Sequence, residues 1–234
     1  VLLALRYVVS VARALEKPVV VFIPLGSNMG SHTGNGIIEA SISNFSTQAS
    51  TVVVVPTGNQ GNTDTHTEGI IERVGDVKDI EIRIGEKQKN LPIEIWIDKP
   101  NRVKLSIISP TGEIIDNLES KNTNNERIKF LYEETEMIVN FTSPELTTGD
   151  SLIFIRAYNL RAGIWKFRLT GQYIVGGKYY SWIPQRELID NETKFLNPVE
   201  YTTLTLPSTS RGAISVAYYN QNNNATLSES SRGY

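Results

Sequence analysis

Residues 80–84 read Ile80-Glu81-Ile82-Arg83-Ile84, and residues 93–97 read Ile93-Glu94-Ile95-Trp96-Ile97. Isoleucine returns at every second position. A β-strand sends successive side chains to opposite faces, so this period lays one apolar row on a core and turns the other row toward water. A helix would scatter the same isoleucines around its circumference. Outward from this pair the pattern continues through Val103, Leu105 and Ile107, through Leu152 to Ile155, and through Trp165, Phe167 and Leu169. Turn formers punctuate it at Pro110-Thr111-Gly112, Thr148-Gly149-Asp150 and Gly176-Gly177. The spacing predicts about eight antiparallel strands and a separate all-β domain, a sandwich or jelly roll, over residues 70–182.

The flanks follow another rule. In residues 1–69, Leu2, Leu5, Val8, Val9, Ala12 and Leu15 recur at helical spacing, with Arg6, Arg13 and Lys17 off that face. Pro18 breaks the helix, and Val19-Val20-Val21-Phe22-Ile23 is a continuous apolar run suited to a strand buried on both faces of a parallel sheet. A Gly/Ser/Asn stretch leads to a second helical pattern through Ile37, Ile38, Ala40, Ile42 and Phe45, then to another buried strand, Val52 to Val55. Helix, strand, helix, strand is the α/β layout. Residues 183–234 resume with expected strands at Tyr201–Leu206 and Ala213–Tyr218. The expected fold class is therefore α/β, a partial parallel sheet with flanking helices, plus an inserted all-β domain.

Composition narrows the function. The 234 residues carry a formal net charge of −2, which gives no electrostatic case for nucleic acid or an anionic membrane. The longest apolar run is far too short to cross a bilayer. Cysteine is absent, which rules out a disulfide framework, a thiol nucleophile and a cysteine-ligated zinc site. The acidic residues Asp116, Glu119, Glu133, Glu134 and Glu136 lack regular metal-ligand spacing and read as solvated faces. Neither a metal nor another cofactor is expected.

Two glycine-bearing segments follow the expected parallel strands: Pro24-Leu25-Gly26-Ser27, and Pro56-Thr57-Gly58-Asn59-Gln60-Gly61. Ligands of open parallel sheets bind beyond the carboxyl ends of the strands, where both segments lie. Alone, Gly58-Asn59-Gln60-Gly61 reads as an ordinary turn. Together, and with Thr203 to Ser208, Ala213 to Ala217 and Ser230-Ser231-Arg232-Gly233 following in order, the segments resemble the subtilisin-like serine proteases (peptidase family S8). Gly163-Ile164-Trp165-Lys166-Phe167 and Tyr180-Ser181-Trp182-Ile183-Pro184 resemble the jelly-roll insert of clostridial subtilases, including the Csp-type spore germination proteases. The resemblance covers the whole chain.

That resemblance implies a serine endopeptidase in which Asn59 supplies the oxyanion-hole donor. Leu25, Gly26 and Ser27 then pair with the backbone of a peptide or protein substrate, and Pro56, Thr57 and Gly58 line the primary specificity pocket. In the family order the catalytic Asp and His precede Leu25 and the nucleophilic Ser follows Gly233, so the triad is expected outside residues 1–234 and the chain alone is expected to be inactive. His32 has the wrong residue order for the triad histidine and lies after the substrate segment instead of before it, and Asp64-Thr65-His66 reads as a surface loop in which His66 at most fixes the connector between the domains. Pro24 and Pro56-Thr57 depart from the family pattern, which keeps a degenerate pseudoprotease acting as a regulatory scaffold as an alternative. A glycan- or protein-binding β module is the other. The resemblance points to an extracellular, cell-wall or spore-associated bacterial protein, and the incomplete α/β part is expected to self-associate.

Overall fold

The computed structural model describes residues 1–48, 50–119 and 125–233. In chain order its elements are α1 (Leu2–Ala14), β1 (Val19–Phe22), α2 (Ile37–Ser46), β2 (Thr51–Pro56), β3 (His66–Ile70), β4 (Val77–Ile84) and β5 (Asn90–Ile97). Next come β6 (Arg102–Ile108), β7 (Ile114–Leu118), β8 (Asn125–Phe130), β9 (Thr135–Thr142) and β10 (Ser151–Tyr158). They are followed by β11 (Gly163–Tyr173), β12 (Lys178–Trp182), β13 (Lys194–Phe195) and β14 (Ala213–Val216). The chain divides into two compact units, Val1–Asn62 with Glu200–Tyr234, and Thr63–Val199.

The expected α/β class is corrected by this inventory. The described residues hold two α-helices against many strands, and pairing is antiparallel everywhere except in the sheet β1-β2-β14. The reason is one of proportion. Helix–strand alternation occupies little more than the first 60 residues, while period-two sequence fills most of the remainder and pairs as antiparallel sheet.

In the discontinuous unit, β2 lies between β1 and β14, with Val21 opposite Val53 and Val53 opposite Ala213. Leu5 and Val9 of α1 and Ile42 of α2 pack with Ile23, Val53 and Val55 into one small core. Both helices thus cover the same sheet face. The expectation that Val19–Ile23 is buried on both faces fails, because Val20 and Phe22 alternate outward and are exposed. Helix α2 is anchored where Glu39, in its first turn, accepts a hydrogen bond from Thr209 Oγ1 (3.1 Å) and Ser210 Oγ donates to the Glu39 carbonyl (2.9 Å).

The Thr63–Val199 unit has a six-stranded sheet, β3-β12-β5-β10-β9-β8, and a five-stranded sheet, β13-β4-β11-β6-β7. Their inner rows form a single core: Ile80, Ile82 and Ile84 from one sheet meet Ile93, Ile95 and Ile97 from the other, with Trp165, Phe167 and Phe130 between them. Phe130 stands edge-on to Trp165, their centroids 4.9 Å apart. On the outer face of β4 and β11, Arg168 forks onto Asp79 at 2.8 and 2.9 Å. The hydrogen bonds from Arg168 hold the Asp79 carboxyl below its ordinary range. Glu133 departs from its expected solvated face. It is buried and accepts from the Thr111 amide (3.2 Å) and hydroxyl (2.5 Å), linking the β8–β9 turn to the β6–β7 turn.

Candidate functional site

Strands β1 and β2 are parallel neighbours, so the segments leaving their carboxyl ends emerge side by side. Pro24-Leu25-Gly26-Ser27 follows β1, and Thr57-Gly58-Asn59 follows β2. Val216 ends β14 at the same edge and accepts a hydrogen bond from the Thr57 amide at 3.0 Å. The residues singled out in the sequence are therefore gathered at one edge of one sheet.

The segment 201–206, expected to be a strand, forms no ladder. Its amides go to three different loops instead. Thr203 N donates to Arg232 O (2.9 Å), Thr205 N to Thr57 O (2.9 Å) and Leu206 N to Ser27 O (2.8 Å), while Ser27 N returns a bond to Leu206 O (2.9 Å). An extended chain whose neighbours are loops rather than one strand satisfies its backbone groups piecemeal, and that piecemeal pairing holds the site together.

Thr205 is the hinge pin. Its hydroxyl donates to Thr57 O (3.2 Å), and it packs against both glycines of the site. A Cβ on Gly26 would lie 2.3 Å from Thr205 Oγ1, and one on Gly58 would lie 2.5 Å from Thr205 Cγ2. Gly58 also has φ +104°, a conformation open to glycine alone at ordinary cost.

Ser231 brackets Asn59. Its amide donates to Gly58 O (3.0 Å), and its hydroxyl accepts from the Gln60 amide (2.9 Å). Gly61 N donates to Glu229 O at 3.0 Å. Asn59 itself is exposed, and its carboxamide makes no hydrogen bond among the described residues. The result is a primary amide on a turn pinned on both sides and open to solvent. Such a group offers a neutral N–H donor whose backbone needs little rearrangement to meet a developing negative charge. Leu25 is exposed, Gly26 and Ser27 are half-buried, Pro56 is half-buried and Thr57 is buried. Just past β14, burial and the Glu229 carboxylate push the Tyr218 phenol above its ordinary value, keeping it a neutral hydroxyl.

Thr205 and Ser231 carry roles that sequence reading alone did not assign to them. Both lie in the segments that completed the motif order, yet a serine or threonine looks the same in sequence whether it faces water or a carbonyl. The surface-loop expectation for His66 fails: it begins β3 in the other unit, buried and stacked on Trp182 with centroids 4.6 Å apart, its Nδ1 3.0 Å from Ser181 O. A cleft of about 370 Å³ opens in the β unit beside Arg102, Thr142 and Gln172. Its polar groups are largely committed to one another: Gln172 donates to Glu119 (3.2 Å), and Ser143 bonds Ser151 (2.9 Å). Trp96, Trp165 and Trp182 are buried and form no exposed aromatic platform. Among the described residues, no group of three or more His, Asp or Glu side chains is placed to hold a metal ion, and no helix is long and apolar enough to cross a membrane.

The gathered edge invites comparison with solved structures. This chain is similar to a clostridial protease. Its fold matches that of the CspB protease of Clostridium perfringens with a TM-score of 0.89 and 27% identity, covering 100% of this chain and 48% of that one. The chain thus spans about half the length of that solved structure. No family model matches the sequence, and no curated protein does. The likeness to the CspB protease supports a Csp-like subtilase relationship and a protease-related function at the family level.

Proposed function

We propose that this chain supplies the oxyanion-hole and substrate-binding part of a subtilisin-like serine endopeptidase whose Ser-His-Asp triad lies outside residues 1–234. Asn59 donates its carboxamide N–H to the oxyanion that forms as the scissile carbonyl is attacked. Leu25, Gly26 and Ser27 take an extended peptide by strand addition, the small Gly26 letting backbone approach backbone. Pro56, Thr57 and Gly58 shape the pocket for the side chain preceding the cleaved bond. The substrate class is peptide or protein.

One observation carries this reading. The exposed Asn59 is fixed on both flanks by Ser231, at the end of β2 and beside the Leu25-Gly26-Ser27 segment. An ordinary surface turn has no need of a buried serine holding both sides of one outward amide. The similarity to the CspB protease supports it further.

The test is Asn59→Ala in the full-length protein. Turnover of a peptide substrate is expected to fall about 100- to 1000-fold with KM little changed, the loss typical of one oxyanion donor. A full-length protein that binds peptides but turns none over, with or without the substitution, would instead mark a pseudoprotease. We also propose that the chain self-associates through the uncovered face of β1-β2-β14, as developed below.

A further inference from the structure

His32 lies in the turn that follows the peptide-binding segment. It is buried, and its ring spans two backbone carbonyls: Nδ1 is 2.8 Å from Leu204 O and Nε2 is 2.8 Å from Asn28 O. Both carbonyls stand next to the Ser27–Leu206 backbone pair. Asn28 follows Ser27, and Leu204 precedes Leu206 by two residues. The imidazole links the same two segments just beyond that isolated bridge. The turn is wound tightly to bring it there, with φ +136° at Gly30, +52° at His32 and +78° at Gly34. A buried non-glycine residue in the left-handed region is held by its surroundings, and here the ring bonds do the holding.

A carbonyl oxygen only accepts. A neutral imidazole donates from one nitrogen and presents a lone pair at the other, so it satisfies one of these contacts and opposes the second. Only the doubly protonated ring donates to both. We propose that His32, held as an imidazolium, is a positioning residue that clamps the Leu25-Gly26-Ser27 segment to residues 204–206 and slackens as the pH rises. The functional value of that segment rests on the protease reading above; the clamp does not.

Residues 28–36 and 201–210, which supply both carbonyls, contain no carboxylate or cation apart from His32 itself, and Tyr201 adds a phenol. On the adjoining elements, Glu39 of α2 accepts from Thr209, and Glu200 is paired with Arg232. The sign follows from the donor count. Two bonds hold while the ring carries both protons, and one is lost when it gives up the second.

The chain contains only two histidines, so nitrogen-15 NMR of the imidazoles resolves His32, with His66→Gln to assign the other ring. In the 234-residue protein, both His32 nitrogens are expected to carry protons at about pH 5.5. Raising the pH to about 8 is expected to remove one proton. The amides of Ser27, Asn28 and Thr205 should shift along the same titration curve. Affinity for a blocked apolar tetrapeptide should fall about tenfold over that range, the worth of one hydrogen bond. His32→Gln, whose amide nitrogen reaches one carbonyl only, should bind at the weaker level at every pH. A ring that stays neutral throughout, or a titration that leaves the 27–28 and 204–206 amides unmoved, overturns the clamp. If the NMR titration holds but no tetrapeptide binds at any pH, the clamp stands and the peptide-binding reading falls. The wild-type titration decides the question even if the glutamine variant fails to fold.

Discussion

Asn101 shows how one side chain can hold a loop. It is buried just after the β5–β6 turn, and its Oδ1 accepts from the amides of Val175 (2.7 Å), Gly176 (3.1 Å) and Gly177 (3.0 Å). Its Nδ2 donates to Asp98 O at 2.7 Å. Three successive amides converging on one oxygen form an anion-like nest, filled here by a neutral carboxamide. Asn101→Ala strands those donors, each worth about 1–3 kcal/mol when buried without a partner. A loss of about 3 kcal/mol is expected, read as a fall in Tm of roughly 10 °C for a unit of this size. Asn101→Asp keeps the acceptor and should lose much less. Equal losses for the two substitutions would show that shape, not acceptance, is what Asn101 contributes. Ser231 and Thr205 work on the same principle in the candidate site, where a buried hydroxyl holds a loop that has no ladder to hold it.

The sheet β1-β2-β14 poses the question of cover. Parallel strands are ordinarily buried on both faces. Here the face opposite the helices carries Val20 (69% exposed), Phe22 (64%), Ile214 (55%) and Val216 (53%), placed on one side by the register. A contiguous apolar surface of this kind favours association. The 234-residue protein is expected to show concentration-dependent self-association by light scattering, and Phe22→Lys should weaken it without unfolding the core, since Phe22 belongs to the outer row. A monomer at every concentration would remove this expectation. The same sheet shows what sequence can and cannot tell. Continuous β-branched runs identified β1 and β2 as strands, because that composition suits a pleated surface in either environment. They could not reveal that, among the described residues, only one face is covered, since burial depends on what stands opposite. Likewise the strict alternation of Ile80–Ile84 and Ile93–Ile97 marked β4 and β5, whereas edge strands such as β8, with Asn125, Glu126, Arg127 and Lys129, carry too few apolar residues to announce themselves. The site was legible as an order of motifs around Asn59. Its fastening through Ser231, Thr205 and His32 was not, because hydrogen bonds between residues more than 140 positions apart leave no local signature.

At the scale of the whole chain, the β unit is self-contained in the currency that matters for folding. Every residue of its large core, from Ile71 to Phe195, comes from Thr63–Val199. Its two ends also meet within the unit: the Val199 amide donates to His66 O at 3.0 Å, and Thr67 Oγ1 donates to Asn197 O at 2.6 Å. A segment whose ends lie together can interrupt another sequence without straining it. A domain of this length buries roughly two-thirds of the surface its unfolded chain exposes, enough for independent stability. Excised residues 63–199 are therefore expected to fold alone, with a β-type circular dichroism spectrum and one cooperative thermal transition. Among the described residues, the remainder keeps a core of six buried apolar side chains and should not fold when the two pieces are joined by a short linker. If the excised β segment melts without cooperativity while the joined flanks fold, the direction of dependence is reversed, and the β unit is supported by the sheet whose sequence it interrupts.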